Sequence, residues 1–240
     1  MNLSRQRIRG VVRKELREYV RNRTLIIGMA VLPIAFTIQP LVVVLRLSAG
    51  AASTLTHEHV LLYLLAIPVL VPVIVAATAV ASERQQGTLE PALSTPIRSE
   101  EFLLGKALAA FMPSIAIAYA VFALFLLLVN VLAQPPVVPA VLQWPDVIAQ
   151  LIFTPLLAAW SIWVGIAISS RSSDIRVAQQ FGLLASIPLV FAVIAIALGV
   201  ITPSLELAVG AAAVLLVADL LGWRFVAPLF NRERLITGSR

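Results

Sequence analysis

The sequence predicts an all-α integral membrane protein with six transmembrane helices. Of its 240 residues, 60% are hydrophobic and 12% are charged, whereas a soluble domain has roughly 45–50% apolar and about 25% charged residues. The mean hydropathy is +0.97. This composition excludes a soluble enzyme and a disordered chain. Because the sequence lacks cysteine, disulfides, thiolate nucleophiles and cysteine-ligated metals are excluded as well.

Six apolar stretches are long enough to cross a bilayer, since about 20 apolar residues in a helix span roughly 30 Å of hydrocarbon. The predicted spans are 25–45, 60–81, 104–132, 147–169, 178–200 and 205–227. The alternating pattern of a membrane β-barrel is absent, so the spans are expected to be helices. The chain is therefore one transmembrane domain made of an interfacial helix, spans one and two, a loop, spans three to six and a tail, at 1–24, 25–81, 82–103, 104–227 and 228–240.

The basic residues predict the orientation of these spans. Seventeen of the 18 lysines and arginines lie in segments that an even number of spans places on one side, and only Arg46 lies on the other. Cytoplasmic loops carry the excess of Lys and Arg, so both termini are predicted to be cytoplasmic. The predicted location is the inner membrane of the cell, which the chain crosses several times. Arginine outnumbers lysine by 16 to 2, a bias typical of GC-rich prokaryotes.

The segment 1–24 is predicted to be an amphipathic helix. Its apolar residues recur every three or four positions, and basic residues occupy the other face; the apolar residues are Ile8, Val11, Val12, Leu16, Tyr19 and Val20. This pattern is typical of a helix that lies in the membrane interface with its cations among the lipid head groups. A purely topogenic basic segment is the alternative.

The loop after span two predicts a second cytoplasmic helix. Gly87 is expected to end the helix of span two, and Thr88 is expected to cap a short helix with Glu90 in its first turn, where the helix dipole favours an anion. The pair Thr95-Pro96 ends this helix because a residue before proline avoids helical angles. Such well-defined helix starts and ends within the loop predict a docking element, since a simple connection needs only about two to eight residues.

Span three is then expected to begin with its own cap. Ser99 is the predicted N-cap, and Glu100 and Glu101 follow it in the first turn.

Residues 83–106, ERQQGTLEPALSTPIRSEEFLLGK, closely resemble the signature loop of ABC-2-type permeases, the membrane subunits of a class of ATP-binding-cassette exporters. The matching positions are Glu83, Gly87, Thr88, Leu89, Glu90, Leu93, Thr95, Pro96, Glu101, Leu104, Gly105 and Lys106. The general layout also resembles this family: a basic interfacial helix, six spans, both termini inside and a loop between spans two and three.

The resemblance implies that segment 82–103 carries a coupling helix, which docks in a groove of a nucleotide-binding subunit. The residues it assigns to coupling are Glu83, Gly87, Thr88, Leu89, Glu90, Leu93, Thr95, Pro96, Glu101, Gly105 and Lys106. Glu83 and Glu90 are expected to pair with arginine or lysine of that ATPase subunit. Two permease copies, or one copy with a similar partner, are expected to form the pathway along their interface among the membrane lipids.

The chain itself is expected to have no catalytic residues and no cofactor. A phosphate-binding Walker loop needs G-x-x-x-x-G-K-[ST], but Ala107 follows Gly105-Lys106. ATP and Mg²⁺ are therefore expected to be used by the partner ATPase. A metal site at His57-Glu58-His59 is not expected, because the spacing differs from H-E-x-x-H and no third ligand is evident.

Two features of the spans leave functional alternatives open. Asp219 lies inside span six, where an acid is by default a functional candidate, although a structural partner for it is the favoured interpretation. Seven prolines lie within spans one to five, either as hinges for alternating access or as residues that membrane helices simply tolerate. They are Pro33, Pro40, Pro68, Pro72, Pro113, Pro155 and Pro188.

The favoured function is a permease subunit that exports a hydrophobic or amphipathic cargo, such as a drug, a peptide or a lipid. An ion- or metal-related efflux permease of the same family is the first alternative. An ATP-independent secondary transporter is the second, but it would need a midplane ion site or inverted repeats, and only Asp219 is available. A membrane-embedded enzyme would need a nucleophile and a base, and no such constellation is present.

Overall fold

The computed structural model describes residues 4–46, 59–87 and 98–226, and within these ranges helices are joined by short turns and loops. The α-helices are α1 Arg5–Arg21, α2 Arg23–Arg46, α3 Ile67–Gln85, α4 Ser99–Leu132, α5 Val137–Val141, α6 Trp144–Arg171, α7 Ile175–Ala197 and α8 Leu205–Val226. A 3-10 helix, Val60–Ala66, leads directly into α3. Six of these elements are long and apolar enough to cross a membrane, and they confirm the six predicted spans.

The spans differ from the prediction in two details. Span two begins as a 3-10 helix. Where this helix meets α3, Pro68 lacks an N–H and cannot donate to the carbonyl of Leu64, and that carbonyl accepts from Ile67 instead. Span three extends over 34 residues and begins at Ser99. The prediction that Ser99 is its N-cap is wrong, because Arg98 occupies that position and Ser99 is already helical.

Span two, formed by the 3-10 helix and α3, is the centre of the bundle. Its most apolar window is 94% buried, far more than any other span. Small residues let the neighbours approach closely. A Cβ atom on Gly165 of α6 would lie 2.7 Å from the Cβ of Ala76, and one on Gly182 of α7 would lie 3.1 Å from Cγ2 of Val73. The helices α2, α4, α6 and α7 all contact this central span.

The remaining span lies at the edge of the bundle. α8 packs mainly against α6. Gly222 is the contact point, because a Cβ there would lie 2.7 Å from Cδ1 of Trp163.

α1 is a separate helix, as predicted, and its boundary with α2 is set by Asn22. The N–H of Asn22 donates to the carbonyl of Glu18 over 3.0 Å and so closes α1. The Asn22 side-chain Oδ1 accepts from the N–H of Leu25 over 3.1 Å, which caps the start of α2. One face of α1 is buried through Val11 and Tyr19, whereas its arginines are exposed.

Candidate functional site

One end of the bundle gathers the ends of α3 and α6, the starts of α4 and α7, and all of α1. We call it the basic end; it is the predicted cytoplasmic end. The loop that resembles the coupling segment leaves α3 and returns to α4 here. Gly87 closes α3 as predicted, with a φ of +67° and its N–H donating to the carbonyl of Arg84 over 3.2 Å. Six of the predicted coupling residues lie outside the described residues: Thr88, Leu89, Glu90, Leu93, Thr95 and Pro96.

Four charged side chains from three helices meet at this end of the bundle, and we call them the charge cluster: Lys14, Glu15, Glu83 and Lys106. Lys106 of α4 lies 2.8 Å from Glu15 Oε1 of α1 and 3.1 Å from Glu83 Oε1 of α3. Lys14 of α1 lies 2.8 Å from the same Glu83 oxygen and 3.2 Å from Glu15. The two lysines and two glutamates therefore join α1 to both sides of the loop.

Burial makes this cluster sensitive to the loss of any member. The Lys106 side chain is 0% exposed and those of Glu15 and Glu83 are 3% and 4% exposed. The ammonium of Lys106 also lies 4.8 Å from the centroid of the Phe102 ring, a favourable cation–π distance. Removal of one partner from a buried ion pair typically costs about 3–5 kcal/mol because the other charge is left uncompensated.

Lys14 keeps its charge despite partial burial. Burial works to lower the pKa of Lys14, but the carboxylates of Glu15 and Glu83 outweigh this effect and raise the pKa above its ordinary value of 10.5. A raised lysine pKa adds stability at every pH below the ordinary value, and this stability is lost only at more alkaline pH. Lys14 therefore contributes a positive charge to the cluster at neutral pH.

Glu101 makes a second link between α1 and α4. Its Oε1 accepts from the backbone N–H of Ser4 over 2.8 Å, and its Oε2 accepts from Arg7 Nη1 over 3.3 Å. The same Oε2 accepts from the N–H of Arg98 over 3.1 Å, which satisfies a free donor at the start of α4. Glu101 therefore caps α4 and holds the start of α1 at once.

Gly105 lies where α1 crosses α4. A Cβ at this position would lie 2.6 Å from both Cβ and Cγ1 of Val11, a distance that no side chain tolerates without movement of a helix. Local packing therefore explains the glycine at position 105: it lets α1 pack directly against α4.

The end of α3 is also tied to the end of α6. Arg84 Nη1 donates to the carbonyl of Ser172 over 3.0 Å, and Nη2 donates to that of Ser170 over 3.1 Å. The hydroxyl oxygen of Ser169 accepts from the backbone N–H groups of Val80 and Ala81 over 2.9 and 3.0 Å. A displacement of the loop at the end of α3 would thus reach α1, α4 and α6 together.

The structure corrects the expectation for Glu83. This residue was expected to face a base on a partner subunit, but its side chain is buried and engaged by Lys14 and Lys106 of the same chain. Lys14 and Glu15 were not among the predicted site residues. One signal identifies Glu15: it lies on the apolar face of α1, four residues from Val11 and four from Tyr19.

A second polar group lies along the membrane helix α6, and we call it the polar row: Asp146, Gln150, Thr154 and Ser161. All four side chains are 3% exposed or less. At the end of the row farthest from the basic end, Asp146 Oδ1 lies 2.8 Å from Nδ1 of His59, so His59 pairs with Asp146. Within the described part of the chain, both side-chain polar atoms of Gln150 and the hydroxyls of Thr154 and Ser161 have no hydrogen-bond partner.

Asp219 lies about two turns before the end of α8 and is partly buried. Its Oδ1 is shielded from solvent and has no hydrogen-bond partner among residues 4–46, 59–87 and 98–226. The favoured structural partner for Asp219 is thus not found within these ranges.

The fold and this site define a six-span membrane protein whose N-terminal helix is bound to both sides of a loop between spans two and three. A family model described as ABC-2 type transporter matches residues 6–193. The chain therefore belongs to the ABC-2 type transporter family and is a membrane subunit of an ABC transporter. No curated protein sequence matches the chain.

Proposed function

We propose that the chain is the permease subunit of an ATP-driven exporter that acts as a dimer with separate ATPase subunits. The charge cluster is the observation that supports this most directly. It ties Glu83 at the end of α3 to Lys14 of α1 and Lys106 near the start of α4 to Glu15 of α1, and it joins the two pairs to each other. A push on the loop between α3 and α4 would then move three helices as one body.

The motor is assigned to a partner because the sequence lacks a Walker loop. ATP and Mg²⁺ would bind that partner, and this chain would contribute no catalytic residue. The loop residues Thr88, Leu89, Glu90 and Leu93 would contact the ATPase directly. Glu83, Glu101, Gly105 and Lys106 would instead hold the loop's two ends against α1, which makes them positioning residues.

The proposed cargo is hydrophobic or amphipathic, such as a drug, a peptide or a lipid, since the spans are overwhelmingly apolar. The proposed location is the inner membrane of a prokaryotic cell with both termini in the cytoplasm. The distribution of basic residues supports this orientation: all but Arg46 fall on one side.

An ion- or metal-related efflux permease is the second candidate, and the polar row favours it. Gln150 and Thr154 are fully buried, lie four residues apart on one helix face, and keep polar atoms without partners in the described ranges. Buried polar atoms inside a membrane protein often mark an ion or substrate path.

Charge reversal in the loop tests the proposed coupling. Glu90→Lys, measured in the complex with the ATPase subunit reconstituted in vesicles, should lower transport-coupled ATP hydrolysis and loosen the ATPase, while membrane insertion is retained. Glu206→Lys is the matched control, because Glu206 is exposed in the first turn of α8, at the opposite end of the bundle. Equal assembly and coupling in both variants would remove Glu90 from the contact.

Single cysteines test the proposed orientation separately. A cysteine at Ser53 or Gln134 should react with a membrane-impermeant reagent in intact cells, whereas one at Ser99 or Ser173 should not. External labelling at Ser99 would overturn the orientation and the coupling proposal with it.

A further inference from the structure

We propose that the chain binds one anionic phospholipid of the cytoplasmic leaflet in a groove between α1, α2 and α4, with the phosphate on an arginine row of α1 and an acyl chain between the helices. This inference goes beyond the proposed transport function, because it concerns a resident lipid and not the cargo. It uses the predicted orientation only to name the leaflet.

The arginine row consists of five exposed residues of α1 at intervals of four: Arg5, Arg9, Arg13, Arg17 and Arg21. Residues four apart lie on one face of a helix, so the row forms a strip of positive charge about 24 Å long. No ion pair joins any of the five to an acid within the described ranges, whereas Lys14 and Arg7 of the same helix are both paired. The row is therefore available to bind anions from outside the described chain.

Two adjoining cavities connect this row to the hydrocarbon. The first, of about 1250 Å³, lies along α1 and is bounded by its arginines and by Leu108 and Met112 of α4. The second, of about 690 Å³, continues between α1, α2 and α4, and all the residues that line it are apolar apart from Tyr19. Leu16 and Val20 line both cavities, so the basic and apolar parts form one groove.

The dimensions fit one leaflet. Along α2, the apolar part extends from Ile26 to Ile34, which is about 12 Å at the helical rise of roughly 1.5 Å per residue. The hydrocarbon of one leaflet is about 15 Å deep, half of a roughly 30 Å core. A groove that is basic at the membrane surface and apolar below it matches a molecule with an anionic head and an acyl chain.

The apolar part also requires an amphiphile and not a free anion. A soluble phosphate would satisfy the arginines but would leave this apolar space empty, and a neutral lipid would fill the space but would leave the arginines without anions. An anionic phospholipid does both, so it is the occupant that the charge and the shape select together.

Native mass spectrometry of the purified full-length chain tests this site, with phosphatidylglycerol and phosphatidylcholine of the same acyl chains added separately. The parent chain should retain one phosphatidylglycerol and prefer it to phosphatidylcholine. Arg13→Gln combined with Arg17→Gln should weaken phosphatidylglycerol binding about tenfold or more, since each basic residue near an anionic surface contributes on the order of 1 kcal/mol. Arg13→Lys combined with Arg17→Lys should keep the preference and shows that the fold tolerates changes at these positions.

The controls make the same types of substitution at positions outside the groove. Arg171→Gln combined with Arg176→Gln removes two exposed arginines of the basic end outside the groove and should leave binding unchanged. Ala30→Trp places a large side chain in the apolar part and should weaken both lipids, whereas Ala192→Trp on the exposed face of α7 should weaken neither.

Three results would overturn the proposal. Equal retention of both lipids by the parent chain would show that the arginine row does not select the ligand. Binding of sn-glycerol 3-phosphate as tight as that of phosphatidylglycerol would show a free-anion site without an acyl-chain groove. Loss of dimer in Ala30→Trp with lipid binding intact would assign the groove to a second copy of the chain.

Discussion

The charge cluster at the basic end and the polar row of α6 both bury side chains that water would otherwise solvate. In the cluster, the buried Lys106 and Glu15 lie 2.8 Å apart and close the contact between helices. In the row, Gln150 is 0% exposed, yet neither its Nε2 nor its Oε1 has a partner in the described part of the chain.

This difference separates fixed from changeable parts of the protein. A buried ion pair that is complete within the chain resists rearrangement, because separation of its members exposes uncompensated charge to a low-dielectric interior. Buried polar atoms without partners raise the free energy of the conformation that holds them. A water molecule, a ligand or another conformation that supplies a hydrogen bond lowers it. We infer that the charge cluster transmits movement between helices. We infer that the polar row is where the membrane-spanning helices change conformation.

Loss of Lys106 should have the largest effect on stability. Lys106→Met leaves Glu15 and Glu83 buried with only the half-exposed Lys14 nearby, and we expect the free energy of unfolding to fall by about 3–5 kcal/mol. The check is chemical unfolding in detergent. Lys106→Leu combined with Glu15→Leu removes both members of a pair and should cost less than Lys106→Met alone. An unfolding curve of Lys106→Met that matches the parent would refute the structural role of the cluster.

Disruption of the contact between α1 and α4 should have the next largest effect on stability. Gly105→Ala places a Cβ 2.6 Å from that of Val11, and such overpacking typically costs about 1–3 kcal/mol. Combination with Val11→Ala should restore part of the loss. Gly10→Ala is the matched control: nothing lies within 4 Å of its Cβ, so unfolding should be unchanged or more difficult by about 0.5–1 kcal/mol. Equal melting temperatures of the two single variants would contradict the close contact.

Substitution in the polar row should change the free energy of unfolding in the opposite direction. Gln150→Leu removes polar atoms without partners, so we expect the free energy of unfolding to stay level or to rise by about 1 kcal/mol. Transport by the reconstituted complex should fall if the row lies on the path of an ion or a cargo. The exposed Gln180→Leu on α7 should change neither quantity. Destabilisation of Gln150→Leu beyond that of Gln180→Leu would show that the amide is structural.

Substitution of Asp219 should have the smallest effect on the stability of the isolated chain. Because its Oδ1 has no partner among the described residues, Asp219→Leu should insert normally and unfold within about 0.5 kcal/mol of the parent. Dimer assembly and transport of the complex are the measurements that then distinguish a structural from a functional role. Normal transport by both Asp219→Leu and Asp219→Asn would exclude a role in the pathway.

The positions of the helices could be predicted because each is a local property of the sequence. An apolar stretch such as 25–45 must be helical in a membrane, since only intrahelical hydrogen bonds satisfy its backbone there. Gly87 marked the end of α3 for a similar reason, as it supplies the positive φ that such an ending requires. The start of α4 was missed because Glu101, at the third helical position, satisfies the N–H of Arg98, a cap that arises from a later residue.

By itself, the sequence determined the number of spans, their predicted orientation and the likeness of one loop to a family, because hydropathy, basic residues and a linear motif need no knowledge of contacts. Only the tertiary structure decided which charges meet. Lys14, Glu83 and Lys106 are far apart in the chain, and their pairing depends on α1 crossing α4 at Gly105 beside the end of α3. The tertiary structure also decided that span two is central, because all six spans are apolar enough to be buried and only packing selects which one the others surround.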